Sequence, residues 1–305
     1  MNMGLFLIAC SKLLTGVTGH LRMLCNTYIS DAVESSKRSQ AYGMLGVAFG
    51  LGFFVGPTLG AFLSNYYRSL PFAFSFASQI IALLICRIWV KDIPHVTGSE
   101  HLLTISDLNP LNALKSLTST RYTFLLAAAM FVWEAATTGH HSIWVHYTSH
   151  RYQWDNFQIG LYMTVMGAAT VFVQGVMVHY LVKEFGDTGC IYMGITCNVL
   201  AHIVIAYAQN TNVIFMCILP LSLSQVAPLS LRSQLSQDKS KQGTLHGSLS
   251  SLQRMSKVVG PLFTTTLFMR SIKSPTSHPG SPFLACAVIY LMVAPIVRYA
   301  INHHK

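Results

Sequence analysis

The sequence predicts an all-α integral membrane protein: two helical bundles joined by a linker, with about nine transmembrane helices. Three observations carry this reading. Of the 305 residues, 52% are hydrophobic and only 10% are charged, against about 25% charged in an ordinary soluble domain. The charges lie between apolar runs long enough to cross a hydrocarbon core about 30 Å thick, which takes about 20 helical residues. The chain also echoes itself at an offset of 204 residues.

The net charge of +10 would suit a nucleic-acid binder if it decorated a charged surface. With so few charges to cover a chain of this length, a soluble enzyme or DNA-binding module is excluded, and no nucleic-acid partner is expected. A membrane β-barrel is excluded as well, because runs such as Ile80–Ile85 and Ala285–Ala294 do not alternate apolar and polar residues. The seven cysteines are odd in number, lack a C-x-x-C pair and sit inside apolar runs. They read as small packing residues rather than a disulfide framework or a zinc site. The N-terminus lacks the basic region of a signal peptide.

Taken in order, the first span covers 3–30 and is interrupted by Lys12, His20, Arg22 and Asn26. The second, 41–64, is rich in glycine, and the third is 71–91. Residues 92–120 hold Pro94, Gly98, Asp107, Asn109 and Pro110 and read as a linker with a short surface helix at 109–117. Six more spans follow at 121–147, 157–182, 187–208, 212–233, 243–269 and 281–300. The expected organisation is therefore 1–91 as a three-helix part of an N-terminal bundle, 92–120 as a cytoplasmic linker and 121–305 as a six-helix bundle.

Basic residues set the orientation. With Lys37 and Arg38 in the cytoplasm, that side collects twelve Lys and Arg, among them Arg87, Lys91, Lys183 and Arg232, against Arg68, Arg151, Arg270 and Lys273 outside. That bias puts the C-terminus in the cytoplasm.

The echo at 204 residues sets Lys37 on Lys241, Gly43 on Gly247, Leu45 on Leu249, Gly56 on Gly260, Pro57 on Pro261 and Leu63 on Leu267. At an offset of 211, Pro71-Phe72 falls on Pro282-Phe283 and Arg87 on Arg298. Repeats of like orientation are the pattern of a transporter made of two homologous six-helix bundles. The three N-terminal spans match the last three of the second bundle, so the arithmetic predicts three further helices upstream.

Gly52-Phe53-Phe54-Val55-Gly56-Pro57-Thr58-Leu59-Gly60-Ala61 resembles the G-x-x-x-G-P-x-x-G-G antiporter motif on helix five of the major facilitator superfamily, departing from it at Ala61. Lys12 four residues before Gly16 resembles the basic residue of that family's helix four, and Tyr28-Ile29-Ser30-Asp31 resembles the Y-I-A-D that closes helix four in tetracycline-resistance antiporters. Arg151-Tyr152-Gln153-Trp154-Asp155 looks like the outer loop after helix seven, and Gln242 to Leu249 like the start of helix eleven. The resemblance implies the major facilitator fold with helices four to twelve present, and secondary transport of a small organic solute by alternating access, by proton-coupled antiport. It places Asp31 and Arg38 at the cytoplasmic gate. The family's charged loop between helices two and three has no counterpart here, so the alternative is a truncated, non-transporting membrane protein that partners or regulates full-length transporters.

Within this frame Gly52, Gly56 and Gly60 form a smooth stripe for close helix approach, with Pro57 as a kink. Lys12 and Asn26 lie on one polar face of the first span and are expected to line a cavity. Glu134 is the only acid deep in a span; Thr138 and His141 share its face at spacings of four and seven, with Thr137 at three. It reads either as a proton carrier or as a structural ion pair. Lys257 continues a polar face with His246, Ser250 and Gln253, and Arg254 stands at its margin. The surplus of cations within spans predicts a solute bearing an acidic group. His146 and His150 have metal-ligand spacing but no third ligand, the pairs His140-His141 and His303-His304 suggest no catalysis, and no Walker A loop is present. The expected partners are the lipid bilayer, a small organic solute and protons, with no cofactor, metal or catalytic residue.

Overall fold

The computed structural model describes residues 38–90, 116–118, 120–235, 242–273 and 278–302, together with the single positions 10, 25 and 28. The expected span 3–30 therefore lies outside the described residues except at those positions, and so do Lys12, Asn26, Asp31 and most of the linker. The other expected spans are all helical, and no strand occurs among the described residues. The described residues fall into two compact units: 38–53 with 72–90, and 54–71 with 116–302.

Helix α1, Arg38–Tyr66, contains Pro57. Helix α2, Leu70–Trp89, carries a proline in its first turn, where a missing N–H costs nothing. None of its residues is buried, and Phe72, Phe76, Leu83 and Trp89 are all more than two-thirds exposed. A soluble protein does not show so large an apolar surface; lipid solvates it.

In the second unit α3, Arg121–Tyr152, is 32 residues long, about 48 Å at 1.5 Å per residue. The Thr120 hydroxyl caps it by accepting from Thr123 N at 3.1 Å, and Gln153 ends it in the left-handed region with φ 54°. Asp155 and Gln158 form a reciprocal capping box that starts α4, Asn156–Phe172. A π-turn at Val173–Met177 leads into α5, Val178–Tyr207. Gly186, with φ 65° and ψ 172°, breaks α5 between the two spans expected at 157–182 and 187–208.

The expected single span 212–233 is three short helices: α6 (Thr211–Met216), α7 (Ile218–Ser224) and α8 (Val226–Leu235). Prolines explain the breaks. Each lacks an N–H and clashes with the carbonyl four residues back; Pro220 points to Met216 and Pro228 to Ser224, the last residues of α6 and α7. Helices α9, Gln242–Lys273, and α10, Ser281–Asn302, complete the unit and contain Pro261 and Pro295.

By length and composition α2, the stretch 156–207, the stretch 211–235 and α10 are apolar enough to cross a membrane. The 52 residues of the second stretch suffice for two crossings. Helices α3 and α9, 32 residues each, are also long enough to cross but carry the polar groups. Helices α3 and α5 form the core, with α3 packed on α9, α10 and α8, and α5 packed on α10, α8 and α7. Two apolar clusters fill this core. One surrounds Leu126, Met130, Trp133 and Tyr290, and the other Trp144, Tyr147, Trp154 and Phe283. On α3 the residues between them are Thr137, Thr138, Gly139, His140, His141 and Ser142, so the apolar core has a polar waist.

Candidate functional site

The α3–α9 seam carries the site because small residues let the two backbones meet. A Cβ on Gly260 would collide with the Ala135 carbonyl oxygen, and one on Gly139 would come within 2.5 Å of Thr264 Cγ2. Hydroxyls stitch the seam: Thr264 donates to the Gly139 carbonyl at 3.0 Å, and Thr138 to the Ser256 carbonyl at 3.1 Å. One turn before Thr138, the half-buried Glu134 accepts from Gln253 Nε2 at 2.7 Å, a charge-assisted bond. Arg232 Nη2 approaches the same oxygen, Glu134 Oε1, to 3.9 Å. Its helix is held in place by Ser233 donating to Asp187 Oδ2 at 3.0 Å and Gln234 to Thr188 Oγ1 at 3.1 Å. The intramembrane acid is thus paired across three helices, α3, α8 and α9. The guanidinium is 45% exposed and the carboxylate side chain 20%, so neither is sealed from exchange.

The face expected to join Glu134, Thr137, Thr138 and His141 is divided by the packing. Thr138 turns to α9, Thr137 pairs with the Tyr290 hydroxyl of α10 at 2.9 Å, and His141 is exposed. Lys257, one turn beyond Gln253, is exposed and makes no ion pair among the described residues. Arg38 opens α1.

Along α1 the glycine stripe and the close contact lie on different faces. A Cβ on Gly52, Gly56 or Gly60 meets no described residue within 4 Å. The tight approach is made by Pro57, Thr58 and Ala61 against Gly160 of α4, where a Cβ would come within 2.8 Å of Ala61 Cβ and 3.2 Å of the Pro57 carbonyl oxygen. Thr164 donates to the Phe54 carbonyl at 2.9 Å and shares a hydrogen bond with Thr58.

Sequence reasoning did not assign Arg232, Gly160, Asn198 or His202 to a site. Arg232 was counted with the cytoplasmic charges because it follows an apolar run. His202 had a usable signal, since an ionisable residue in the middle of a span is rarely there for packing alone.

The family model of the Major Facilitator Superfamily matches residues 2–261. The tetracycline resistance protein of class H from Pasteurella multocida is 25% identical over 295 residues, covering 95% of this chain and 72% of that protein. The class G protein from Vibrio anguillarum is 26% identical over 296 residues, covering 96% and 74%. Among solved structures, the human organic anion transporter MFSD10 (TETRAN) superposes with a TM-score of 0.62 at 21% identity, over 89% of this chain and 66% of that one. This chain therefore spans about three quarters of those curated relatives and 66% of that solved chain. With a family match over most of its length and a helical fold to go with it, the chain belongs to the Major Facilitator Superfamily.

Proposed function

We propose that the protein is a secondary active transporter that exchanges protons for a small organic solute bearing an acidic group, zwitterions included, with its C-terminus in the cytoplasm. Major facilitator proteins work by alternating access around a midplane site, without covalent chemistry. The observation that carries the coupling is the Glu134 carboxylate inside a span, held by Gln253 at 2.7 Å and reached by Arg232 at 3.9 Å. A carboxylate at that depth is costly unless paired or protonated. A proton on Glu134 cancels the charge that Gln253 and Arg232 face. A solute whose donor group docks on the carboxylate expels that proton, which makes the two ligands competitors and the exchange an antiport. Lys257, about 6 Å further along the helix at 1.5 Å per residue, supplies a cation for the solute's acidic group. Lys12 is the second cation we assign to the cavity.

The test is flux in proteoliposomes containing the chain, with matched anionic, zwitterionic and cationic solutes under an imposed pH gradient. Gradient-driven exchange of acid-bearing solutes, lost in Glu134→Gln and weakened in Lys257→Ala, is the expected result. Robust cation exchange that survives Lys12→Ala and Lys257→Ala, with no flux of acid-bearing solutes, overturns the substrate class. Absence of flux for every solute favours the non-transporting alternative.

A further inference from the structure

We propose that His140 and His202 form a proton-binding dyad in the polar waist between α3, α5 and α10, separate from Glu134. His140 Nδ1 lies 3.0 Å from His202 Nε2, and His202 Nδ1 lies 2.9 Å from the backbone oxygen of Asn198. Both rings are buried, at 7% and 1% exposure. These partners assign the hydrogens. A carbonyl oxygen only accepts, so His202 Nδ1 carries a hydrogen. A neutral imidazole has one N–H, so His202 Nε2 is a lone pair and must accept from His140 Nδ1. One nitrogen is left at the open end of the chain: Nε2 of His140, a lone pair.

A proton arriving there breaks no existing bond. His140 becomes an imidazolium, and its Nδ1–H bond to His202 becomes charge-assisted. One contact compensates the charge. The Trp144 ring stacks on His140 at 5.0 Å and 15°, and tryptophan is the best aromatic partner for a cation. The side-chain oxygen of Asn198, one turn before His202, is buried without a hydrogen-bond partner, as are Trp144 Nε1 and the Tyr162 hydroxyl in the same stack, so the waist holds polar groups that its packing leaves unpaired.

The titratable neighbours are few. His141, next along α3, meets His140 edge-on at 5.4 Å. From α10, Tyr290 stands 5.1 Å from His202 and the buried Cys286 lies one turn before it. From α4, Tyr162 stacks on the Trp144 ring at 4.6 Å. Glu134, further along α3, has its own partners, and among the described residues no carboxylate lies within ion-pairing distance of either imidazole. The dyad therefore takes up one proton as net charge. In a purely structural pair the rings stay neutral. The inference deepens the proton-coupled reading of the protein but does not need transport to be tested.

Trp144 is a built-in reporter, because an imidazolium stacked on an indole quenches its emission and a neutral ring does so far less. The experiment is tryptophan fluorescence of the chain in lipid nanodiscs, titrated between about pH 8 and about pH 4, a window that takes in the ordinary charge change of an imidazole and its acid side. The expected result is a reversible fall in emission on acidification that is lost in His140→Gln and in Trp144→Phe, kept in Trp133→Phe, and moved in midpoint by His202→Gln. Flat wild-type emission, or a transition that survives Trp144→Phe, overturns the dyad. Trp144→Phe leaves both histidines in place and so decides the matter even if His140→Gln does not fold. A transition present in a protein without flux keeps the dyad and sinks the transport reading; pH-driven flux with flat emission does the reverse.

Discussion

Gln253 donates to Glu134 across the α9–α3 seam at 2.7 Å, and it does so from the helix that also presents Lys257 one turn on. The bond makes the only acid deep in a described span part of the packing as well as part of the charge balance. Replacing Gln253 by Leu strands the carboxylate with a single partner 3.9 Å away. Leaving a buried charged group short of hydrogen bonds costs about 1–3 kcal/mol. Gln253→Leu should therefore lower the thermal unfolding temperature in detergent. The double variant Glu134→Leu/Gln253→Leu should recover most of the loss, because no carboxylate is left stranded and Arg232, 45% exposed, can be solvated by water. Equal or greater destabilisation in the double variant would show that the bond is not what the packing depends on.

Gly56 and Gly260 are matched by the repeat, yet they differ in surroundings. A Cβ on Gly260 collides with the backbone of Ala135, which cannot move aside as a side chain can, whereas one on Gly56 meets no described residue within 4 Å. Overpacking of this kind costs about 1–3 kcal/mol for a methyl group. Gly260→Ala should lower stability by that amount and Gly260→Leu should prevent accumulation of folded protein. Gly56→Leu should insert and melt like wild type while losing flux, if the stripe is used in another state of the transport cycle. Thermal melts and flux on the same preparations separate the two positions.

The described spans were legible because apolar length is a one-dimensional property, and turns at Gln153 and Gly186 fall in the expected gaps. The division of 212–233 into three pieces was written in Pro220 and Pro228, but hydropathy is blind to a missing N–H. Glu134 stood out as an isolated acid. Arg232 did not stand out as its partner, because the contact joins residues 98 positions apart and depends on how α8 docks against α5. The same holds for Gly160 and for the His140–His202 pair: spacing along one helix says which residues share a face, not which face meets a neighbour.

Gly186 adopts φ 65° and ψ 172°, a region essentially closed to residues with a Cβ and costing about 1–3 kcal/mol when one is forced into it. Its Cβ would meet nothing within 4 Å, so the penalty of a substitution is conformational and not steric crowding. Gly186→Ala should lower the unfolding temperature, and Gly186→Asn should do no better. Asparagine tolerates the left-handed helical region near ψ 47°, which this residue does not occupy. Rescue by asparagine would indicate a local backbone other than the one described.

The last prediction concerns the α1–α4 seam. Thr58 and Thr164 share a hydrogen bond, Thr164 also holds the Phe54 carbonyl, Gly160 receives Ala61, and Asn156 reaches Ser64 at 3.4 Å. The contact thus runs from Phe54 to Ser64 on α1 with little bulk between the backbones. Alternating access requires helices that meet in one state to part in another, and a seam held by a few hydroxyls and small residues is suited to reopening, since each exposed hydroxyl finds water when the seam parts. Cysteines at 58 and 164, in a background with the seven native cysteines replaced, should form a disulfide on mild oxidation, because side-chain atoms already in hydrogen-bonding contact lie within the reach of an S–S bond. The cross-linked protein should lose flux, and reduction should restore it; each single cysteine variant should be indifferent to oxidant. Adding a transported solute should change the cross-linking rate, since ligands shift the population of the two states. Complete cross-linking with undiminished flux would show that α1 and α4 move as one body, and the opening of the cavity would then have to be sought elsewhere in the molecule.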